Sequence, residues 1–183
     1  VLALRGDPPQ GEEKFIKTKG GFEYGNELVS FIKKNFSFCI GAACYPEGHI
    51  ECKDLDKDIE NLKRKVDSGV DFLVTQLFFD NQNYFKFLDR VQAAKINIPI
   101  IPGIMPILNL KQMQRFTRMC GANLTPSLLS KFKGVENDNE KVREIGISHA
   151  IEQCRELLKY KVPGIHFYTL NRSKATLNIL DAL

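Results

Sequence analysis

The chain has 183 residues, 43% of them apolar and 26% charged, the profile of an ordinary globular protein with material for one core and one domain. Its 26 basic and 22 acidic side chains leave a formal charge of +4, and the longest basic block, Lys63-Arg64-Lys65, is too short for a nucleic-acid-binding stripe; acidic small molecules stay admissible as partners. No apolar run is long enough to span a membrane, and Pro99, Pro102 and Pro106 interrupt the most hydrophobic stretch.

The predicted elements run in a regular order. A strand is expected at Val1 (VLAL), in an opening with neither an initiator Met nor a signal peptide, so the beginning reads as cut. A helix over Tyr24–Asn35 follows, with Leu28, Val29, Phe31 and Ile32 on its apolar side. Next come a strand from Phe38 (FCIGAA) and a helix over Asp56–Ser68, whose stripe is Ile59, Leu62 and Val66 and whose end is marked by Gly69. A strand from Phe72 (FLVTQLFF) leads to a helix over Gln82–Ala94, and a strand from Ile98 (IPIIPGI) to a helix over Leu110–Cys120 capped by Asn109. A longer helix, about Glu140–Tyr160, carries Val142, Ile145, Cys154, Leu157 and Leu158; a strand from Gly164 (GIHFYTL) and a helix over Ser173–Leu183 complete the chain.

Strand alternating with helix means parallel strands joined by crossover helices, hence an α/β class. Flavodoxin-like sheets and barrels both satisfy that pattern. The polar residues favour a barrel: Arg5-Gly6-Asp7, Tyr45-Pro46-Glu47, Gln76 and Asn171-Arg172 fall at or just after the C-terminal ends of strands, where a (β/α)8 TIM barrel collects its catalytic groups. Such a barrel takes about 250 residues and eight units. Five are visible here.

The cysteines (Cys39, Cys44, Cys52, Cys120 and Cys154) are odd in number and form no CxxC pair, which fits a reducing cytoplasm. Cys44, His49 and Cys52 lack a fourth ligand and zinc-type spacing, so no metal is expected.

Five motifs stand in order along the whole chain: LALRGD at Leu2–Asp7, AACYPEGH at Ala42–His49, LKRKVDSGVDFLVTQLFFD at Leu62–Asp80, IIPGIMPI at Ile100–Ile107 and HFYTLNR at His166–Arg172. Together they resemble methylenetetrahydrofolate reductase, and the five strands then correspond to the fourth to eighth of its barrel, with the first three absent. The resemblance implies an FAD-dependent oxidoreductase that reduces 5,10-methylenetetrahydrofolate to 5-methyltetrahydrofolate with electrons from NADH or NADPH, in one-carbon metabolism leading to methionine. It also implies a cytoplasmic homo-oligomer, with neither nucleic acid nor membrane as partner. Asp7 would sit between flavin and folate as the catalytic carboxylate. Arg5, Gly6, Asp7, Tyr24, Gly25, Tyr45, His49, Asp58 and Lys65 match positions that hold FAD; Asp7, Gln76, Gln112, Phe116 and Arg172 match positions that meet the folate, or for Gln112 and Phe116 the nicotinamide. The family's general acid is a glutamate near the end of the first strand, so it is not expected in this sequence, and the chain alone is expected to be inactive. A bacterial-type enzyme is the better match, since no regulatory domain follows Leu183.

The chemistry of each residue type agrees with these roles. Asp58, Leu62 and Lys65 share a helical face from which an ammonium reaches a diphosphate. An amide such as Gln76 offers paired donor and acceptor to a pterin edge, and the Arg172 fork suits carboxylates. Without the family context each has a plainer explanation: Asp7 a rim cap, Lys65 a solvated lysine, His49 a structural histidine, Phe116 a core aromatic. Two other readings compete. One is a different barrel enzyme with a phosphate-bearing ligand, the other a non-catalytic folate- or flavin-binding paralogue. The RGD triplet as an adhesion motif finds no support, because no secretion signal accompanies it.

Overall fold

The computed structural model describes residues 1–6, 8 and 15–183. Its strands are β1 (Leu2–Ala3), β2 (Gly41–Cys44), β3 (Phe72–Leu77), β4 (Ile100–Ile104) and β5 (His166–Phe167). The helices are α1 (Gly25–Asn35), α2 (Leu55–Asp67), α3 (Asn81–Ala93), α4 (Leu110–Cys120), α5 (Pro126–Ser130), α6 (Asn139–Lys159) and α7 (Ser173–Leu180).

All four strand pairings are parallel and the sheet order is β1-β2-β3-β4-β5. That order settles the choice that the alternation alone leaves open. A doubly wound sheet reverses direction at a switch point, whereas a barrel adds each strand beside the one before it. The sheet is a curled part of a (β/α)8 barrel, with β1 and β5 as its two edges among the described residues.

Local chemistry sets the helix starts. Asp54 accepts from the Asp56 and Lys57 amides at 3.0 and 3.2 Å and opens α2, whose first turn is acidic and last turn basic, as the helix dipole favours. Asp80 caps α3 through the Gln82 amide and Asn109 caps α4 through the Gln112 amide, both at 2.9 Å. The cap at Asn109 is where the sequence put it.

One element departs from the alternation. Helix α5 lies between α4 and α6, started by Thr125, which accepts from the Leu128 amide at 3.2 Å, with Pro126 in the first turn. Its Leu128, together with Phe132 just beyond it, fills a second apolar cluster with Leu77, Phe79, Met105, Ile107, Met113 and Val142. Strand β5 and helix α7 are shorter than expected, and Leu158, expected on the buried stripe of α6, is exposed, whereas Cys154 is buried as expected and the polar Gln153 is buried beside it. The main core lies between sheet and helices, around Ile40, Leu73, Phe78, Tyr84, Phe87, Ile104 and Leu157. Among the described residues no helix is long and apolar enough to cross a membrane.

Candidate functional site

Two groups of side chains gather at the C-terminal ends of the strands. The first follows β2. Gly48 takes φ +89 and its amide donates to the Tyr45 carbonyl at 3.0 Å, so the YPEG segment is a tight turn that a side chain at position 48 would strain. The turn brings the Tyr45 and His49 rings edge to face at 4.6 Å. The His49 amide donates to Asp58 at 3.3 Å, which ties the turn to α2. His49 Nδ1 accepts from the Glu51 amide at 3.1 Å, and Arg5 holds the Glu51 carboxylate with both guanidinium nitrogens at 2.8 and 2.9 Å.

Lys65 completes the group from α2. Its ammonium donates to the Ala43 carbonyl at 2.9 Å and stands 5.7 Å from the centre of the Tyr45 ring. Burial pushes the Lys65 pKa down, against the pull of neighbouring Cys44 and Asp58. Burial also raises the Asp58 carboxyl, in spite of the His49 amide, and lowers the His49 imidazole. An ammonium has three N–H groups. Only one finds an acceptor among the described residues, so the chemistry of this half-spent cation fits an anionic ligand such as a diphosphate. Lys65 is half-buried and hydrogen-bonded to the backbone, where the plainer explanation had it fully solvated.

The second group is more open, and Arg172 is its one charged side chain. A cavity of about 240 Å³ lies between the end of β4, the start of α4 and the segment after β5, lined by Met105, Gln112, Phe116, Tyr168 and Arg172 among others. Phe116 packs on the second apolar cluster and also faces the cavity, so its two sequence explanations hold at once. Arg172 stands exposed at the start of α7, carried there by Leu170 and Asn171, both at positive φ (+49 and +59), a conformation that costs a non-glycine residue energy.

The predicted residues therefore divide. Arg5, Tyr45, His49, Asp58 and Lys65 come together through the contacts above, and Gln112, Phe116 and Arg172 share the cavity. Gly6 sits at φ +84 after β1, and Asp7 lies outside the described residues. Tyr24 and Gly25 start α1, with Tyr24 exposed, and no described contact joins them to the Lys65 group. Gln76 is not in the cavity wall; its amide oxygen accepts from the Leu77 amide at 3.0 Å. Sequence reasoning placed Glu47 at a strand end but gave it no role; it is half-buried and accepts from Asn83 Nδ2 at 2.9 Å and from the Asn123 amide at 3.2 Å, binding the Tyr45–His49 turn to α3 and to the loop after α4. Its place inside the YPEGH motif was the available signal. Among the described residues no three His, Cys, Asp or Glu side chains are grouped to hold a metal ion.

Comparison with known proteins brings these groups into one frame. The family model for methylenetetrahydrofolate reductase matches residues 1–183. The chain is 41% identical over 185 residues to methylenetetrahydrofolate reductase 1 of Schizosaccharomyces pombe, covering 100% of this chain and 30% of that protein. It is 38% identical over 183 residues to 5,10-methylenetetrahydrofolate reductase of Escherichia coli, covering 100% of this chain and 60% of that one. The chain thus spans under two thirds of either relative. A solved structure of an uncharacterized protein from Clostridium thermocellum, described as binding two copies of 5-methyl-5,6,7,8-tetrahydrofolic acid, superimposes with a TM-score of 0.61 over 86% of this chain and 57% of that one; at 16% identity it supports the fold alone.

Proposed function

The chain belongs to the methylenetetrahydrofolate reductase family, and from that premise we propose that it forms the C-terminal part of a barrel that reduces 5,10-methylenetetrahydrofolate to 5-methyltetrahydrofolate using FAD and NADH or NADPH. The observation that carries this reading is the pairing of a half-buried ammonium, only one of whose three N–H groups is met among the described residues, with a mostly uncharged cavity at the same end of one parallel sheet. The first suits a dinucleotide diphosphate and the second a flat heterocycle with an acidic tail. The names of the relatives point the same way.

FAD, when bound, supplies the hydride chemistry. The residues of this chain do the rest of what is proposed here. Lys65 meets the diphosphate, while Tyr45 and His49 present an aromatic corner beside it. Gln76 orients the pterin through its amide, Phe116 covers the substrate, and Arg172 receives the carboxylates of the glutamate tail. Asp7 places a negative charge where the folate becomes cationic as its ring opens, and the folate proton comes from a glutamate of the barrel's first strand. The five cysteines are free thiols, which accords with a cytoplasmic setting, and a homo-oligomer belongs to the same reading.

The test separates the two half-reactions in the complete enzyme. The protein should purify yellow, its flavin should bleach with a reduced nicotinamide, and methylenetetrahydrofolate should restore the colour. Asp7→Asn should slow the second step much more than the first. A colourless protein, or a flavin that folate never reoxidises, would sink the proposal.

A further inference from the structure

Between β3 and β4 the register slips: Val74 lies opposite Ile101 and Leu77 opposite Gly103, so Thr75 and Gln76 together face the single residue Pro102. The cause is chemical. Proline has no N–H to give the ladder, and strands accommodate it at bulges. A bulge frees backbone groups that must find partners when buried, and Thr75 is fully buried. Here side chains partner three of the backbone groups at the bulge. The Gly103 amide donates to Thr75 Oγ1 at 2.8 Å, the Leu77 amide to Gln76 Oε1 at 3.0 Å, and the Tyr168 hydroxyl, from just after β5, to the Thr75 carbonyl at 2.8 Å.

From this geometry we infer that Tyr168 is a positioning residue for Gln76: its hydroxyl closes the bulge and thereby fixes the amide that meets the substrate. The inference rests on the proposed role of Gln76 in folate binding. With one lone pair of the Gln76 oxygen engaged by the Leu77 amide, the side chain can still offer its NH2 group to an acceptor atom of the substrate. Two further contacts hold the tyrosine itself. The His166 ring lies edge-on at 4.7 Å, and Gly103 leaves the room the phenol occupies, since a Cβ there would stand 2.6 Å from the Tyr168 ring and would collide with the Thr75 carbonyl. Without the hydroxyl the Thr75 carbonyl is buried and unmet, and the bulge relaxes to satisfy it, carrying Gln76 with it.

The test is a double-mutant cycle in the complete flavin-loaded enzyme, with Tyr168→Phe, Gln76→Ala and both together. Tyr168→Phe should keep its flavin and raise KM for methylenetetrahydrofolate about tenfold, with kcat changed much less. In the Gln76→Ala background the same change should add nothing further, because there is no amide left to position. Amide hydrogen exchange should quicken at Gly103 and Leu77 in Tyr168→Phe, a signature that loss of a direct ligand contact does not give. An equal KM penalty in both backgrounds would overturn the inference and make Tyr168 a substrate contact in its own right. An unchanged KM in Tyr168→Phe, with Gln76→Ala impaired, would overturn it too. If Gln76→Ala itself bound folate normally, the role of Gln76 would be wrong, and the inference would fall with it.

Discussion

The group around Lys65 and the cavity around Phe116 stand at the same end of one sheet and are built on opposite principles. The first is charged and tied together: Arg5, Glu51, His49 and Asp58 are linked by hydrogen bonds, Lys65 is held beside them by the Ala43 carbonyl, and burial works against the charged form of Asp58, His49 and Lys65. The second is mostly uncharged and walled by Met105, Phe116 and Tyr168, with its one guanidinium, Arg172, out in solvent. A charged site tied together in this way suits a cofactor that stays, because the cost of holding charge out of water is offset while the ligand is bound. An open, mostly uncharged site suits ligands that come and go, with orientation set by a few hydrogen bonds. Under the proposed function, the difference would let one barrel end hold a resident dinucleotide and still exchange two other reactants.

The largest expected effect breaks the charged side. Burial pushes the folded-state pKa of Lys65 below the ordinary lysine value of 10.5. The associated stability is present above that value and lost as pH falls through the folded pKa, so at neutral pH the ammonium burdens the empty protein. Lys65→Met should therefore raise the unfolding temperature of the flavin-free enzyme while weakening FAD binding about 10- to 100-fold, the loss expected for a charge-assisted hydrogen bond. Flavin titration and thermal scans with and without FAD read both signs. A variant less stable when empty would mean that the bond to Ala43 outweighs the burial of the charge.

Glu47 joins the two regions, and cutting it should give the next effect. Its carboxylate holds Asn83 of α3 and the Asn123 amide in the loop after α4, the helix that borders the cavity, so the turn carrying Tyr45 and His49 is braced toward that side. Glu47→Ala should weaken both FAD and folate binding by about fivefold, whereas Glu47→Gln, which keeps an acceptor oxygen, should lose little. Loss confined to one ligand would show that the brace serves one region only.

How much of this was legible without coordinates depended on distance along the chain. Lys65 and Asp58 share a helix and His49 shares a motif with Tyr45, so their grouping follows from local spacing once α2 and the turn are placed. The Asn109 cap and the barrel-end position of Arg172 are equally local. The links that cross the sheet were not legible: Glu47 to Asn123 spans 76 residues and Tyr168 to Thr75 spans 93. No periodicity encodes such pairs. Pro102 in IIPGI was a visible hint of a bulge, but nothing local says which side chain would meet the freed carbonyl. Helix α5 was missed for another reason: Thr125-Pro126 is a good helix start, but the helix that follows is too short to build a periodic stripe.

The smallest expected effect probes the corner where His49 meets the Tyr45 ring. His49 Nδ1 accepts from the Glu51 amide, so the folded state uses the ring in its neutral form, and burial lowers its pKa from 6.5 although Glu51 and Asp58 pull the other way. A group with a depressed folded pKa contributes stability that is present above the unfolded value and lost as pH falls through the folded one. Thermal unfolding of the wild type should therefore weaken as pH drops from about 7 to 5, the range in which an unfolded histidine gains its proton. His149 and His166 are also lowered by burial and add to the same slope, so the informative quantity is the difference from a variant. His49→Asn keeps an acceptor for the Glu51 amide and cannot titrate, and its profile should be flatter than the wild type by at most about one proton per molecule. Parallel profiles would mean that protonated His49 finds the nearby carboxylates of Glu51 and Asp58 as readily as neutral His49 finds the amide.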